Sequence, residues 1–196
     1  MMESFNSFGE KHTIMAFIEK RELLNSQSVE RAITRITHEI LEKNKGALNL
    51  ALIGLRTRGV FLAKRIALKV EEIEKVKVPL GIVDVTLYRD DIGRTEAHPR
   101  LQKTEIDFSV TDKTIVLVDD VLFTGRTIRA ALDAIMDLGR PRFVRLAVLI
   151  DRGNRELPIQ ANFVGRELPT TRDELIQVQL METDGIDRVV LGEEKK

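Results

Sequence analysis

Val116-Leu117-Val118-Asp119-Asp120-Val121-Leu122-Phe123-Thr124-Gly125-Arg126-Thr127 holds the densest chemistry of the chain. The apolar run from Thr114 to Val118 predicts a strand buried on both faces, and two carboxylates emerge at its end. A turn containing Thr124, Gly125 and Thr127 then opens a helix expected over Thr127–Leu138, ended by Gly139 and Pro141. Ligands of open parallel sheets bind beyond the carboxyl ends of strands, where helix N-termini offer unpaired N–H groups to anions. A phosphate in this turn would meet backbone N–H groups and the hydroxyls of Thr124 and Thr127. Gly125 would let the backbone come close. Asp119 and Asp120 would then accept hydrogen bonds from the hydroxyls of an attached sugar. This order of residues suits a ribose 5-phosphate.

The flanking chain repeats the strand and helix alternation. Val29, Ile33, Ile36 and Ile40 recur at helical spacing, with Ser28 as the expected N-cap and Asn44-Lys45-Gly46 as the stop. Leu48 to Gly54 predicts a strand, Val60 to Ala67 a helix, and Arg56-Thr57-Arg58-Gly59 the loop between them. A second strand is expected over Pro79–Tyr88, a long polar loop over Arg89–Thr104, and a buried strand over Phe143–Ile150. Such alternation predicts an α/β fold, a mainly parallel sheet flanked by helices. After Asp151 the regularity weakens, with short strands expected at Asn162–Val164 and Gln177–Leu180. Residues 151–180 therefore read as a small C-terminal hood over one sheet edge. One domain is expected over residues 27–196. Residues 1–26 read as a mobile or loosely docked segment with, at most, a short helix over Thr13–Asn25.

Composition narrows the chemistry. With 43% hydrophobic and 32% charged residues in 196, the chain can bury a core and is not disordered throughout. It has no Cys, and His12, His38 and His98 are scattered, which excludes thiolate sites and gives no imidazole cluster. Thirty-one basic residues balance thirty-one acidic ones, so any nucleic-acid surface must be a local patch. No apolar run approaches the ~20 residues of a membrane helix, and the N-terminus lacks the apolar region of a signal peptide; a cytoplasmic protein is expected. There is no G-x-x-x-x-G-K-[ST] and no G-x-G-x-x-G after a strand, which argues against kinase and dinucleotide readings. Paired Asp after an apolar strand also occurs in phosphorylatable receiver domains. There the pair ends the first strand; here it lies past mid-chain and precedes Thr124-Gly125-Arg126-Thr127.

Residues 115–127 resemble the phosphoribosyl pyrophosphate (PRPP) motif of type I phosphoribosyltransferases. The likeness extends to Leu55–Gly59, Asp84–Asp91, Asp137–Pro141 and Asp151–Ile159. Together these resemble the PyrR family of pyrimidine operon attenuation regulators that are also uracil phosphoribosyltransferases, over about residue 28 to the end. The resemblance implies a type I phosphoribosyltransferase fold and an enzyme making UMP and pyrophosphate from uracil and PRPP. It places the ribose hydroxyls on Asp119 and Asp120, the 5-phosphate on Thr124, Gly125, Arg126 and Thr127, and Val121, Leu122 and Phe123 beside the substrate. Arg56, Thr57, Arg58 and Gly59 become the pyrophosphate loop, an assignment that two guanidinium groups at a strand-to-helix turn support on their own. Arg89, and with it Arg100, lie on the loop that closes over the reacting centre, so Arg89 joins Asp119 and Asp120 as a catalytic candidate. Arg152 and Ile176 fall at the base end. Mg²⁺ is expected chiefly on the pyrophosphate oxygens of PRPP, with no dedicated protein ligands.

The same resemblance implies UMP-dependent binding to a pyr mRNA leader through Thr34, Arg35 and His38, which share one helix face, and through Arg155. After Asp151-Arg152-Gly153 the family pattern has His and, six residues on, Arg. Here these are Asn154 and Gln160, which implies weaker phosphate contact. Homodimers or homotetramers are expected. A phosphoribosyltransferase for another base, or an RNA-binding attenuator with little catalysis, remain the alternatives.

Overall fold

The computed structural model describes residues 17–85 and 104–194. The chain runs β1 (Phe17–Leu24), α1 (Ser26–Asn44), β2 (Leu50–Leu55), α2 (Arg58–Glu74), β3 (Leu80–Val83), β4 (Thr114–Leu122), α3 (Arg126–Asp137), β5 (Phe143–Asp151), β6 (Phe163–Glu167), β7 (Glu174–Gln179), α4 (Met181–Asp184) and β8 (Arg188–Glu194). Five strands make one sheet in the order β3-β2-β4-β5-β6, every paired neighbour parallel. All six residues of β2 are buried, as are the first six of β4, which is why both read as unbroken apolar runs.

The pleat sorts β4 into two cores. Val116 and Val118 face α1 and α2 with Ile33, Ile36, Ile40, Leu62 and Ile66. Ile115 and Leu117 face α3 with Ile128, Ala131 and Ile135. Removing such a fully buried Leu or Ile from water contributes roughly 1.5–3 kcal/mol. The α/β class and the alternation on which it rests are as expected.

Several boundaries differ from expectation. Helix α1 starts at Ser26, because the side chain of Asn25 rather than Ser28 is the cap: its Oδ1 accepts the Ser28 N–H at 3.0 Å. At the other end Lys45 turns left-handed, and the N–H groups of Lys45 and Gly46 close on Glu42 and Leu41. Helix α2 takes in Arg58 and Gly59, so the preceding loop is shorter than the sequence suggests. Strand β3 ends at Val83, and residues 86–103 lie outside the described residues.

The expected helix over Thr13–Asn25 is corrected for its described part: Phe17–Leu24 is strand β1, paired antiparallel with β8. A strand with exposed charged residues at Glu19, Lys20, Arg21 and Glu22 has no local apolar signal and is specified by its partner. The hood is therefore not one continuous C-terminal piece. Its first half supplies β6, the edge strand of the parallel sheet, and β7 joins β1 and β8 in a small antiparallel sheet of order β1-β8-β7.

Ion pairs fasten this second sheet to α2. The guanidinium of Arg65 donates to Glu182 at 2.9 and 2.5 Å and to Asp187 at 3.0 and 2.7 Å. Arg58 donates to Asp184 at 3.0 Å. All three carboxyls are held below their ordinary range. For Glu182 the main cause is the Arg65 hydrogen bond. At Asp187 burial acts the other way and is outweighed by donation from Arg65 and the Met181 N–H. At Asp184 burial is likewise outweighed, by Thr183, the Leu180 N–H and Arg58. Groups that ionise more readily when folded stabilise fully above their ordinary values, 4.5 for Glu and 3.8 for Asp, and lose that contribution as pH falls through the lower folded values. Arg65→Met is therefore expected to cost about 1 kcal/mol near pH 7, the upper end for a partly exposed ion pair. Thermal melts at falling pH should show this deficit shrinking as the carboxyls protonate.

Candidate active site

The connections leave β2 and β4 in opposite directions. From β2 the chain crosses through α2 to β3, and from β4 through α3 to β5, with α2 and α3 on opposite faces. The carboxyl ends of the adjacent strands β2 and β4 therefore flank a topological switch point, where open α/β sheets bind ligands. Both sequence motifs end there.

After β2, Arg56 anchors the first loop. Its N–H donates to the Val83 carbonyl at 3.0 Å, and its side chain lies 3.3 Å from Asp84 and 3.7 Å from Glu105. The Arg56–Thr57 peptide is cis. Among the described residues, no backbone acceptor takes the N–H of Thr57, Arg58 or Gly59, which leaves these groups as unspent donors. Gly59 is the contact that sets the geometry. A β-carbon there would stand 2.4 Å from the Val118 carbonyl oxygen and 3.1 Å from the Asp119 α-carbon. Only glycine lets the first turn of α2 lie on the end of β4.

At the end of β4, Asp119 is buried and Asp120 half-buried. The Asp119 carboxylate accepts the Asp120 N–H at 2.9 Å, and Asp120 accepts the Val121 N–H at 3.0 Å. Val121 is half-buried and Leu122 buried, so both anchor the loop that follows. Gly125 takes φ +93 and starts α3, a left-handed cap that suits glycine. Thr124 Oγ1 accepts the Arg126 N–H at 3.3 Å. The N–H groups of Phe123, Thr124, Gly125 and Thr127 have no backbone acceptor among the described residues. A cradle of amide donors therefore stands beside two carboxylates.

The other expected residues fall around this centre in different ways. Arg152 is buried at the end of β5: its guanidinium donates to Thr170 Oγ1 at 2.8 Å and to the carbonyls of Thr171 at 2.8 Å and Glu174 at 2.6 Å. It also stacks 4.0 Å from the Phe123 ring centroid, and burial holds its pKa below the usual arginine range. Arg152 thus ties the hood to the turn after β4. Ile176 lies on β7 opposite Leu191, packed against the α1 and α2 core. Arg89 and Arg100 lie outside the described residues.

Thr34, Arg35 and His38 do share a face of α1. With Glu30 and Arg31 they line an open depression of about 410 Å³. Arg35 is not a loose charge on it: it bonds Glu39 at 2.7 Å and the carbonyls of Val164 at 3.0 Å and Gly165 at 2.5 Å. Arg155 lies apart from that face and turns its guanidinium onto the loop after β4. Neither the Arg155 bonds to the loop after β4 nor the Arg65 cluster has a local sequence signal, because those partners lie from about 30 to more than 100 residues away, although Arg155 also bonds Asp151, Gly153 and Ile159 close to it in the chain.

A parallel sheet that joins an arginine-flanked loop to paired acids and an amide cradle at its switch point is that of a phosphoribosyl transferase, and the phosphoribosyl transferase domain family matches residues 19–180. Within that class the chain belongs to the PyrR family. It is 56% identical over 176 residues to the bifunctional protein PyrR of Clostridioides difficile, covering 90% of this chain and 99% of that one. To the bifunctional protein PyrR of Acetivibrio thermocellus it is 57% identical over 179 residues, 91% and 97% of the two chains. The fold is shared with the hypoxanthine phosphoribosyltransferase of Trypanosoma cruzi, with a TM-score of 0.68 at 15% identity over 90% of this chain and 98% of that one. The hypoxanthine-guanine enzyme of Leishmania tarentolae in complex with GMP gives 0.67 at 16% identity, covering 91% and 98%.

Gly59→Ala is expected to push α2 off the end of β4 at a cost of about 1–3 kcal/mol, the usual penalty of overpacking. The displacement separates the two loops, so phosphoribosyl transfer should fall by more than the loss of folded protein accounts for. Melting temperature and turnover measured on one preparation check this.

Proposed function

We propose that the chain transfers the phosphoribosyl group of PRPP to uracil, giving UMP and pyrophosphate, and that UMP binding also promotes its association with a pyr mRNA leader. The observation that carries the catalytic reading is the contact of Gly59 with Val118 and Asp119, which brings unspent donors and paired acids to one place. In this reading the 5-phosphate rests on the amides of Phe123 to Gly125 and on Thr127, and the ribose hydroxyls on Asp119 and Asp120. Diphosphate lies over Thr57–Gly59 with Arg56 and Arg58 beside it. Mg²⁺ arrives on PRPP as part of the substrate and neutralises the departing diphosphate.

Uracil N1 bonds to C1′ while the bond from C1′ to the diphosphate oxygen breaks, and the N1 proton leaves to solvent or diphosphate. The sugar passes through an oxocarbenium-like state, which carboxylates and excluded water favour. Arg89 and Arg100 are proposed to add positive charge over the leaving group as their loop closes. The base is proposed to lie at the hood end, near Phe123, Arg152 and Ile176. A homodimer or homotetramer in the cytoplasm fits the reading. Among the described residues no helix is long and apolar enough to cross a membrane.

Radiolabelled uracil, orotate and hypoxanthine offered with PRPP and Mg²⁺ test the substrate. Uracil is expected to turn over fastest, and preference for orotate or a purine would move the assignment to another base. Asp119→Asn combined with Asp120→Asn should lower uracil turnover by roughly 100-fold or more, by loss of charge-assisted contacts of about 1.5–3 kcal/mol each, with the melting temperature kept. Wild-type turnover would remove the acids from the site.

The regulatory reading rests on the open depression along α1, where Arg31, Thr34 and His38 present a cation, a hydroxyl and an imidazole on one face. Arg35 and Arg155 enter it as residues already engaged with protein carbonyls. Combining Thr34→Ala with His38→Ala should weaken UMP-dependent binding of a pyr leader hairpin by about tenfold and leave uracil turnover unchanged. A gel-shift titration reads the first and the uracil assay the second.

A further inference from the structure

The loop after β4 has its carbonyls gathered by the segment that follows β5. Arg155 Nη1 donates to the carbonyl oxygens of Phe123 at 2.8 Å and Leu122 at 3.4 Å, and to that of Gly153 at 3.0 Å. Its Nε donates to Ile159 at 2.9 Å, and its Nη2 is held by the Asp151 carboxylate. Asp151 in turn accepts the Gly153 N–H at 3.0 Å. The next carbonyl, that of Thr124, accepts the N–H groups of Glu156 at 3.0 Å and Leu157 at 3.1 Å. Leu157 and Ile159 lie against Gly125, where an added β-carbon would meet Ile159 at 3.3 Å.

Three consecutive carbonyls, Leu122, Phe123 and Thr124, are thus turned toward residues 153–157. A trans peptide is planar and its N–H points opposite its C=O. Drawing those carbonyls to one side aims the N–H groups of Phe123, Thr124 and Gly125 to the other, and these are the amides without a backbone acceptor. An unclamped turn of Thr and Gly could rotate these peptide planes and would lose that alignment each time it had to bind. Holding them in advance removes the ordering cost from ligand binding. The guanidinium fork suits the task, since it reaches several carbonyls from one rigid plane; an ammonium group is a point charge on a flexible stem.

We propose that Arg155, oriented by Asp151, is a positioning residue that preorganises the 5-phosphate cradle. The inference rests on the phosphoribosyl reading of that cradle and assigns Arg155 to the ligand site through the loop rather than through contact with ligand. It predicts a selective effect. The Arg56–Gly59 loop takes no bond from Arg155, so affinity for pyrophosphate should be spared where affinity for a 5-phosphate is lost.

The test is calorimetric titration of the full chain with UMP and, separately, with Mg²⁺-pyrophosphate, for wild type, Arg155→Ala and Arg155→Lys, alongside KM for PRPP and for uracil. For Arg155→Ala the UMP Kd and the KM for PRPP should rise about tenfold or more, with pyrophosphate affinity held within about twofold. Arg155→Lys keeps the charge facing Asp151 and should fall between; if the alanine variant does not fold, the lysine variant decides. Unchanged UMP affinity overturns the proposal, and so does an equal loss for UMP and pyrophosphate, which marks general damage to the fold. Wild-type protein that binds pyrophosphate but not UMP would instead sink the phosphoribosyl reading itself.

Discussion

Where the first turn of α2 meets the end of β4, no side chain can stand between them. The Gly59 position faces the Val118 carbonyl at a separation that would put a β-carbon 2.4 Å from oxygen, so the two backbones are in direct contact. That contact is possible because β2 and β4 are sheet neighbours while their crossovers leave to opposite faces, which opens a crevice above both strand ends. Through it the donors of Thr57–Gly59 and the acids Asp119 and Asp120 become one site. Loosening it would leave both loops intact and the site dismantled.

The arginines divide into those at the end of β2 and those that bind backbone carbonyls or carboxylates elsewhere in the fold. Arg56 in the loop after β2 and Arg58 in the first turn of α2 each have a carboxylate near them, Asp84 and Asp184. Arg35, Arg152 and Arg155 each donate to backbone carbonyls of a separate segment, and Arg155 adds bonds to Asp151, Gly153 and Ile159 beside it in the chain. The planar fork explains the choice, since several acceptors in one plane are held without further side-chain ordering. Arg65 does the same for carboxylates, and its two partners fix where the antiparallel sheet docks on α2. Partly exposed ion pairs of this kind contribute modest net stability but favour this docking, because a misplaced hood would give up several charge-assisted hydrogen bonds at once.

Hood, cradle and sheet are coupled through short paths. The Arg152 guanidinium joins the Thr170–Glu174 segment to the Phe123 ring, and Arg155 joins the segment after β5 to the carbonyls behind the cradle. The amides that would hold a phosphate therefore owe their direction to residues with no place in the cradle itself.

Much was legible in the sequence alone. Unbroken apolar runs such as Ile115–Val118 could be satisfied only by a strand covered on both faces, and the residues after them, Asp119 to Thr127, carried their own turn and helix start. The α/β class, the paired acids, the amide turn and the arginine-flanked loop all follow from local composition, because each is made of residues close together in the chain. What the sequence could not show is everything made by distant residues meeting. Strand β1 carries a charged stretch that reads at most as a short helix, and only its pairing with β8 makes it a strand. The split of the hood between two sheets, the satisfied state of Arg35 and Arg155, and the contact at Gly59 are likewise products of packing. Local pattern records which backbone conformation a segment prefers. Which acceptor a guanidinium finds, and how closely two loops approach, are set only when the sheet order brings them together.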